Sequence, residues 1–126
     1  MSAKQSFSDF LQEDRLIVCD GGMGTMLYNK GLFIHTCFDM ANLSNPKLVQ
    51  EIHADYVDSG ADVIETNTFG ANFYKLKQHG LQEHLHQINL TGVHIARKAA
   101  GKNTFVAGSI GPLGIKIEPL GPTSFA

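Results

Sequence analysis

The sequence has little that would tie it to a membrane, a nucleic acid or an oxidising compartment. No apolar run approaches the roughly 20 residues that a membrane-spanning helix needs. Positive charge is not in excess: ten Lys and Arg stand against twelve Asp and Glu, a formal net charge of −2. Nothing basic therefore invites nucleic acid. Cysteine is scarce. Cys19 and Cys37 are the only two in 126 residues, and they lack CxxC spacing, so a disulfide framework is excluded and a reducing cytoplasm is the expectation. The polar start MSAKQSFSDF, with Asp9, does not read as a signal peptide. The six histidines are scattered and no HExxH occurs. A metal site within the chain is not expected, and no residue is singled out as catalytic. Low-complexity tracts and sequence repeats are absent as well.

What is present is a rhythm of strands and helices. The apolar run Leu16 to Cys19 ends in glycines and reads as a buried strand. Met23 to Lys30 follows as a short helix closed by Gly31. Residues 32–43 show no clear period. Asn45 can cap the next helix, with Pro46 at its first position, Leu48, Val49, Ile52, Tyr56 and Val57 at helical spacing, and Gly60 at its end. Val63 and Ile64 mark a second strand. Asn72 to His79 is a shorter helix, and Glu83 to Ala100 a long one with Leu85, Ile88, Ile95, Ala96 and Ala99 on one stripe. Thr104 to Ile110 is a third strand. The Pro/Gly-rich tail from Ile115 reads as a loop. Strands alternating with amphipathic helices predict an α/β chain with a parallel sheet.

Three polar, glycine-bearing loops follow the three strands: DGGMGT from Asp20, TNTFGAN from Thr66, and GSIGP from Gly108. They fall at one edge of the sheet, where α/β folds bind ligands. Strand alternation groups Asp20 with Val18 and Leu16, and turns Ile17 and Cys19 toward the helices. Asp20 can receive a ligand ammonium or cap its own turn. The glycines can form a nest of backbone N–H groups or simply make a tight turn. DGGMGT is neither the dinucleotide fingerprint nor a P-loop, since no GxGxxG or GK[ST] is present there. Thr66, Asn67 and Thr68 can hold a small polar ligand or satisfy their own loop, the commoner outcome. Glu65 reads either as a site residue or as an ion-pair partner. Cys19 is expected to be a buried small hydrophobe, and His53 and His94 to lie at helix surfaces or boundaries.

The stretches Leu16 to Thr25, Asn45 to Asn72 and Phe105 to Pro112 together resemble the homocysteine S-methyltransferase family. That family includes the homocysteine domain of cobalamin-dependent methionine synthase, betaine–homocysteine methyltransferase and bacterial fusions to a methylenetetrahydrofolate reductase. The resemblance implies a (β/α)8 TIM barrel of about 250 residues, of which residues 1–126 hold the N-terminal portion, about three βα units. It implies a cytoplasmic enzyme that transfers a methyl group from a donor to the homocysteine thiolate. By the same resemblance Asp20 holds the homocysteine amino group, while Gly21, Gly22 and Thr66 line the substrate pocket. The family's zinc is held by three cysteine thiolates from later in the domain, matched by neither Cys19 nor Cys37. Zinc is thus expected in the full-length parent, where cobalamin, folate or flavin are further candidates, and the 126-residue chain alone is expected to be inactive and either to self-associate through open strand edges or to be poorly ordered beyond about Pro112. The competing expectations are an inactive structural or binding module, or another βα-barrel enzyme for a small amino acid.

Overall fold

The computed structural model describes residues 5–124. A single turn, α1 (Phe7–Phe10), is capped by the Ser6 hydroxyl, which accepts from the Asp9 amide. Turns and bends over residues 11–15 lead into an extended run, residues 16–20, and then into α2 (Met23–Asn29), with Lys30 at its C-cap and Gly31 at φ 103°. A 3-10 turn (Phe38–Met40) leads into α3 (Ala41–Ser44) and the longer α4 (Pro46–Asp58). Asn45 occupies the N-cap of α4, although its side chain makes no capping hydrogen bond there. Strand β1 (Val63–Glu65) is followed by α5 (Phe73–Lys77), a 3-10 turn (Gln82–His84), α6 (Leu85–Ala100) and β2 (Phe105–Ala107).

β1 and β2 are parallel, with Val63 beside Phe105 and Glu65 beside Ala107. The extended run before Asp20 lies parallel on the other side of β1, yet it forms only one bridge, Cys19 with Val63. The bonds that hold it are Asp20 N–H to Val63 carbonyl at 2.9 Å and Val63 N–H to Val18 carbonyl at 3.2 Å. The spatial order therefore follows the chain order, and the connection from β1 to β2 runs through α6. The expected third strand is cut to three residues, because Gly108 leaves the ladder and Gly111 N–H bonds instead to the Phe69 carbonyl.

Helices cover one face of this sheet. Ile64 packs with Ala96 and Ala100 of α6, and Ala61 joins them. A second cluster places Val49 and Ile52 of α4 against Leu27 of α2, Ala41 and Ile95. A third packs Leu76 of α5 against Ile88 and Ala71. The apolar stripes expected on α4 and α6 supply most of these contacts. At the other end of the strands, Phe7 and Phe10 pack against Phe105, and Arg15 bonds Asp62 at 2.6 Å.

Two expectations about side chains are corrected. Cys19 is exposed. Its partner Val63 alternates with the helix-facing Ile64, so the register turns Cys19 away from the helix layer. Its outer side has no neighbouring strand among the described residues. His53 is wholly buried rather than superficial. It stands four residues after Val49 and three before Tyr56, and the stripe carries it into the core. His94 is exposed, as expected.

Candidate functional site

The C-terminal ends of the strands open into a cleft of about 490 Å³. Its walls include Asp20, Gly21, Gly22, Glu65, Thr66 and Asn67, so the residues that the resemblance places in the substrate pocket line one cavity, whereas Thr68 is not among its lining residues. Asp20 reaches it because the chain leaves the sheet there. Its N–H makes the last ladder bond, and strand alternation no longer governs its side chain. Oδ2 of Asp20 accepts the backbone N–H of Glu65 at 2.9 Å. Asp20 thus bonds across to β1 instead of capping α2. Partial burial, aided by the nearby Glu65 carboxylate, raises its pKa above the ordinary aspartate value, against the lowering effect of that backbone bond. The Glu65 side chain lines the cleft too.

The glycines of DGGMGT answer to crowding, not to backbone sign, since Gly21, Gly22 and Gly24 do not have positive φ. A Cβ on Gly21 would lie 3.0 Å from the Tyr56 hydroxyl, and one on Gly24 3.2 Å from the Phe38 ring. Bare backbone lets α4 and the Phe38 turn close on the loop. The Tyr56 hydroxyl donates to the Gly22 carbonyl at 3.4 Å, which braces the loop from behind.

Thr66 and Thr68 are occupied by the loops themselves. The Thr68 hydroxyl donates to the Ser109 carbonyl at 2.8 Å, and the Ser109 N–H donates to Thr66 Oγ1 at 3.0 Å. The two hydroxyls are 2.6 Å apart. Each carries one hydrogen, and that of Thr68 is already given to Ser109, so Thr66 is the donor between them. The closed ring sews the loop after β1 to the loop after β2. Asn67 is equally committed: its amide donates to the Phe38 carbonyl at 2.8 Å and to Asn42 Oδ1 at 3.1 Å. Asn42, wholly buried, donates back to the Asn67 carbonyl and to the Ile88 carbonyl.

The segment without a sequence period supplies the opposite wall. Asp39 Oδ1 accepts the Gly70 N–H at 3.0 Å, and Cys37 Sγ lies 3.9 Å from Asp39 Oδ2. Burial raises the pKa of both Cys37 and Asp39. Lys75 of α5 and His79 complete that side. Nothing in the pattern of residues 32–43 marked Asp39. The only available signal for Lys75 was its place just after the TNTFGAN loop.

Among the described residues no group of three His, Cys, Asp or Glu side chains is placed to hold a metal ion. The zinc implied by the resemblance therefore has no fitting donor set here. No helix among the described residues is long and apolar enough to cross a membrane.

The family model for homocysteine S-methyltransferase matches residues 17–125. Methionine synthase of Mycobacterium tuberculosis is 34% identical over 124 residues, covering 89% of this chain and 10% of the synthase. Methionine synthase of Mycobacterium leprae is 34% identical over 123 residues, with 88% and 10% covered. The crystal structure of the homocysteine methyltransferase MmuM from Escherichia coli, metallated form, superposes with a TM-score of 0.69 at 28% identity over 86% of this chain and 41% of MmuM. Its oxidised form gives a TM-score of 0.68, covering 83% of this chain and 40% of MmuM. The chain thus spans about a tenth of the methionine synthases and about two-fifths of MmuM.

Proposed function

The chain belongs to the homocysteine S-methyltransferase family, and from that premise we propose that its cleft is the amino-acid-binding wall of an enzyme that methylates homocysteine to methionine. The parallel sheet with its ligand loops at one edge is then the N-terminal portion of a (β/α)8 barrel. The observation that carries the proposal is the cleft at the strand ends, where the Asp20 carboxylate is fixed by the Glu65 N–H beside a loop of bare backbone.

The chemistry asked of these residues is binding and orientation. An amino acid presents an ammonium, and Asp20, with Glu65 beside it, offers carboxylate to receive it as a charge-assisted hydrogen bond. Gly21 and Gly22 let the ligand lie close to the main chain. Thr66 lines the pocket while its hydroxyl holds the two loops in register. Methylation requires the thiol to give up its proton to solvent, forms a sulfur–methyl bond and breaks the bond between methyl and donor, so the sulfur must point toward the donor. Holding the ammonium end fixes that direction, an effect of positioning. The described residues hold no fitting set of zinc ligands.

The test is isothermal titration of the purified chain with L-homocysteine, L-methionine and L-alanine. Saturable binding of homocysteine, stronger than that of alanine, is the expected result. Equal binding of all three would remove the homocysteine reading, and absence of binding by all three would remove the amino-acid reading.

A further inference from the structure

α5 carries two lysines that are used differently. Lys77 turns onto the Phe73 ring, its Nζ 5.8 Å from the centroid. Lys75 lines the cleft and is partly buried. Its own backbone is pinned, since its N–H donates to Asn72 Oδ1 at the start of the helix. Its stem runs along the main chain at Gly114, where a Cβ would come within 3.1 Å of Cε and 3.2 Å of Nζ. A bare backbone at 114 therefore sets the path of the side chain.

Other charged pairs show what Lys75 lacks. Lys30 pairs with Asp55 at 3.1 Å, and Arg15 with Asp62 at 2.6 Å. Lys75 makes no ion pair among the described residues. The cleft is also polarised. Asp20 and Glu65 stand at the strand ends, while Lys75 and His79 stand on the α5 side. Asp39 lies near His79, but its Oδ1 is already engaged by the Gly70 N–H. A small molecule that carries both an ammonium and a carboxylate is complementary in charge to this arrangement.

We propose that Lys75 is the recognition residue for the carboxylate of the amino acid bound in this cleft. The proposal rests on the amino-acid reading above and adds to it a second anchor, which selects amino acids over simple amines. Two points of attachment fix orientation where one leaves the ligand free to swing.

The experiment compares L-homocysteine with 3-mercaptopropan-1-amine, which keeps the ammonium and thiol and lacks the carboxylate. Both are titrated into the wild-type chain, K75Q and, as a control on the same helix, K77Q. The expected result is a preference of roughly tenfold or more for homocysteine in the wild type and K77Q, since hydrogen bonds to charged groups are of that strength. In K75Q the preference falls to about onefold, through loss of homocysteine affinity alone. A K75Q variant that still prefers homocysteine by the wild-type factor overturns the role of Lys75 and leaves the amino-acid reading standing. Equal weakening of both ligands assigns Lys75 a structural part and also overturns it. Failure of the wild type to bind homocysteine removes both.

Discussion

Asp20 and Glu65 are joined across the sheet edge: Oδ2 of one accepts the backbone N–H of the other at 2.9 Å. The bond ties the first ligand loop to the end of β1 and holds the carboxylate where burial disfavours its charge. A folded-state pKa above the unfolded value means that the folded chain binds the proton more readily. The ionised carboxylate therefore costs stability once pH exceeds the unfolded value. The amide of Asn keeps an oxygen acceptor for the Glu65 N–H and removes the charge. D20N is expected to melt at the wild-type temperature or above it, while its affinity for homocysteine drops roughly tenfold or more. Thermal denaturation and titration on one preparation measure both. A variant that loses stability and keeps affinity would make Asp20 a structural residue.

The ring of Thr66, Thr68 and Ser109 gives a second expectation. T68V removes the hydroxyl that accepts from the buried Thr66 and donates to the partly buried Ser109 carbonyl. Unsatisfied buried groups of this kind cost about 1–3 kcal/mol each. Urea unfolding should show that loss in T68V, and T68S should recover most of it. A T68V midpoint equal to wild type would mean that the hydroxyls can find other partners.

Gly92 sets helix propensity against packing. Replacing a mid-helix Gly by Ala gains about 1 kcal/mol in an exposed helix. Here the added Cβ would sit 2.7 Å from Asn42 Nδ2 and 2.8 Å from Thr68 Cγ2. Both neighbours are buried; Asn42 bonds the loop after β1, and Thr68 belongs to that loop and bonds Ser109 of the loop after β2. Overpacking of this kind costs about 1–3 kcal/mol, so packing wins and G92A is expected to lower stability. It should also weaken homocysteine binding, because Asn42 and Thr68 hold the Thr66–Asn67 loop. A stabilised G92A would show that α6 can shift away from that loop freely.

The positions of Asp20 and Thr66 at the cleft were legible because a βα chain puts its post-strand loops at one edge; that the Thr66 hydroxyl is spent on the neighbouring loop was not. The amphipathic helices were legible from period alone. Strand lengths were not: the pairing of Leu16 to Cys19 depends on neighbours that no local pattern names, and it shrank to a single bridge. The face of Cys19 went wrong for the same reason, since register is set by the partner strand. Asp39 and Asn42 lie in a stretch without periodicity, and their roles come from bonds to residues 25–31 positions away. His53 is different. Its spacing already placed it on the stripe of Val49, Ile52 and Tyr56, and only its residue type argued for the surface.

That buried histidine gives the last expectation. Neither ring nitrogen of His53 has a hydrogen-bond partner among the described residues, and burial lowers its pKa from 6.5 to about 4. Between those values the unfolded chain takes up a proton that the folded chain refuses. Stability must then fall as pH drops from about 6.5 to about 4 and lose nothing further from this group below that. The full loss is roughly 3 kcal/mol, because each tenfold difference in proton affinity between the two states is worth about 1.4 kcal/mol. Asp20 and Asp39 oppose it, since their raised values favour the folded chain as acid increases. The comparison is therefore with H53L, which fills a similar volume and removes the titration. The difference in unfolding free energy between H53L and wild type should widen steadily as pH falls across that window. It should also favour H53L at neutral pH, where the unpaired ring nitrogens remain buried. Parallel pH profiles for the two proteins would mean that His53 finds a partner or water in solution.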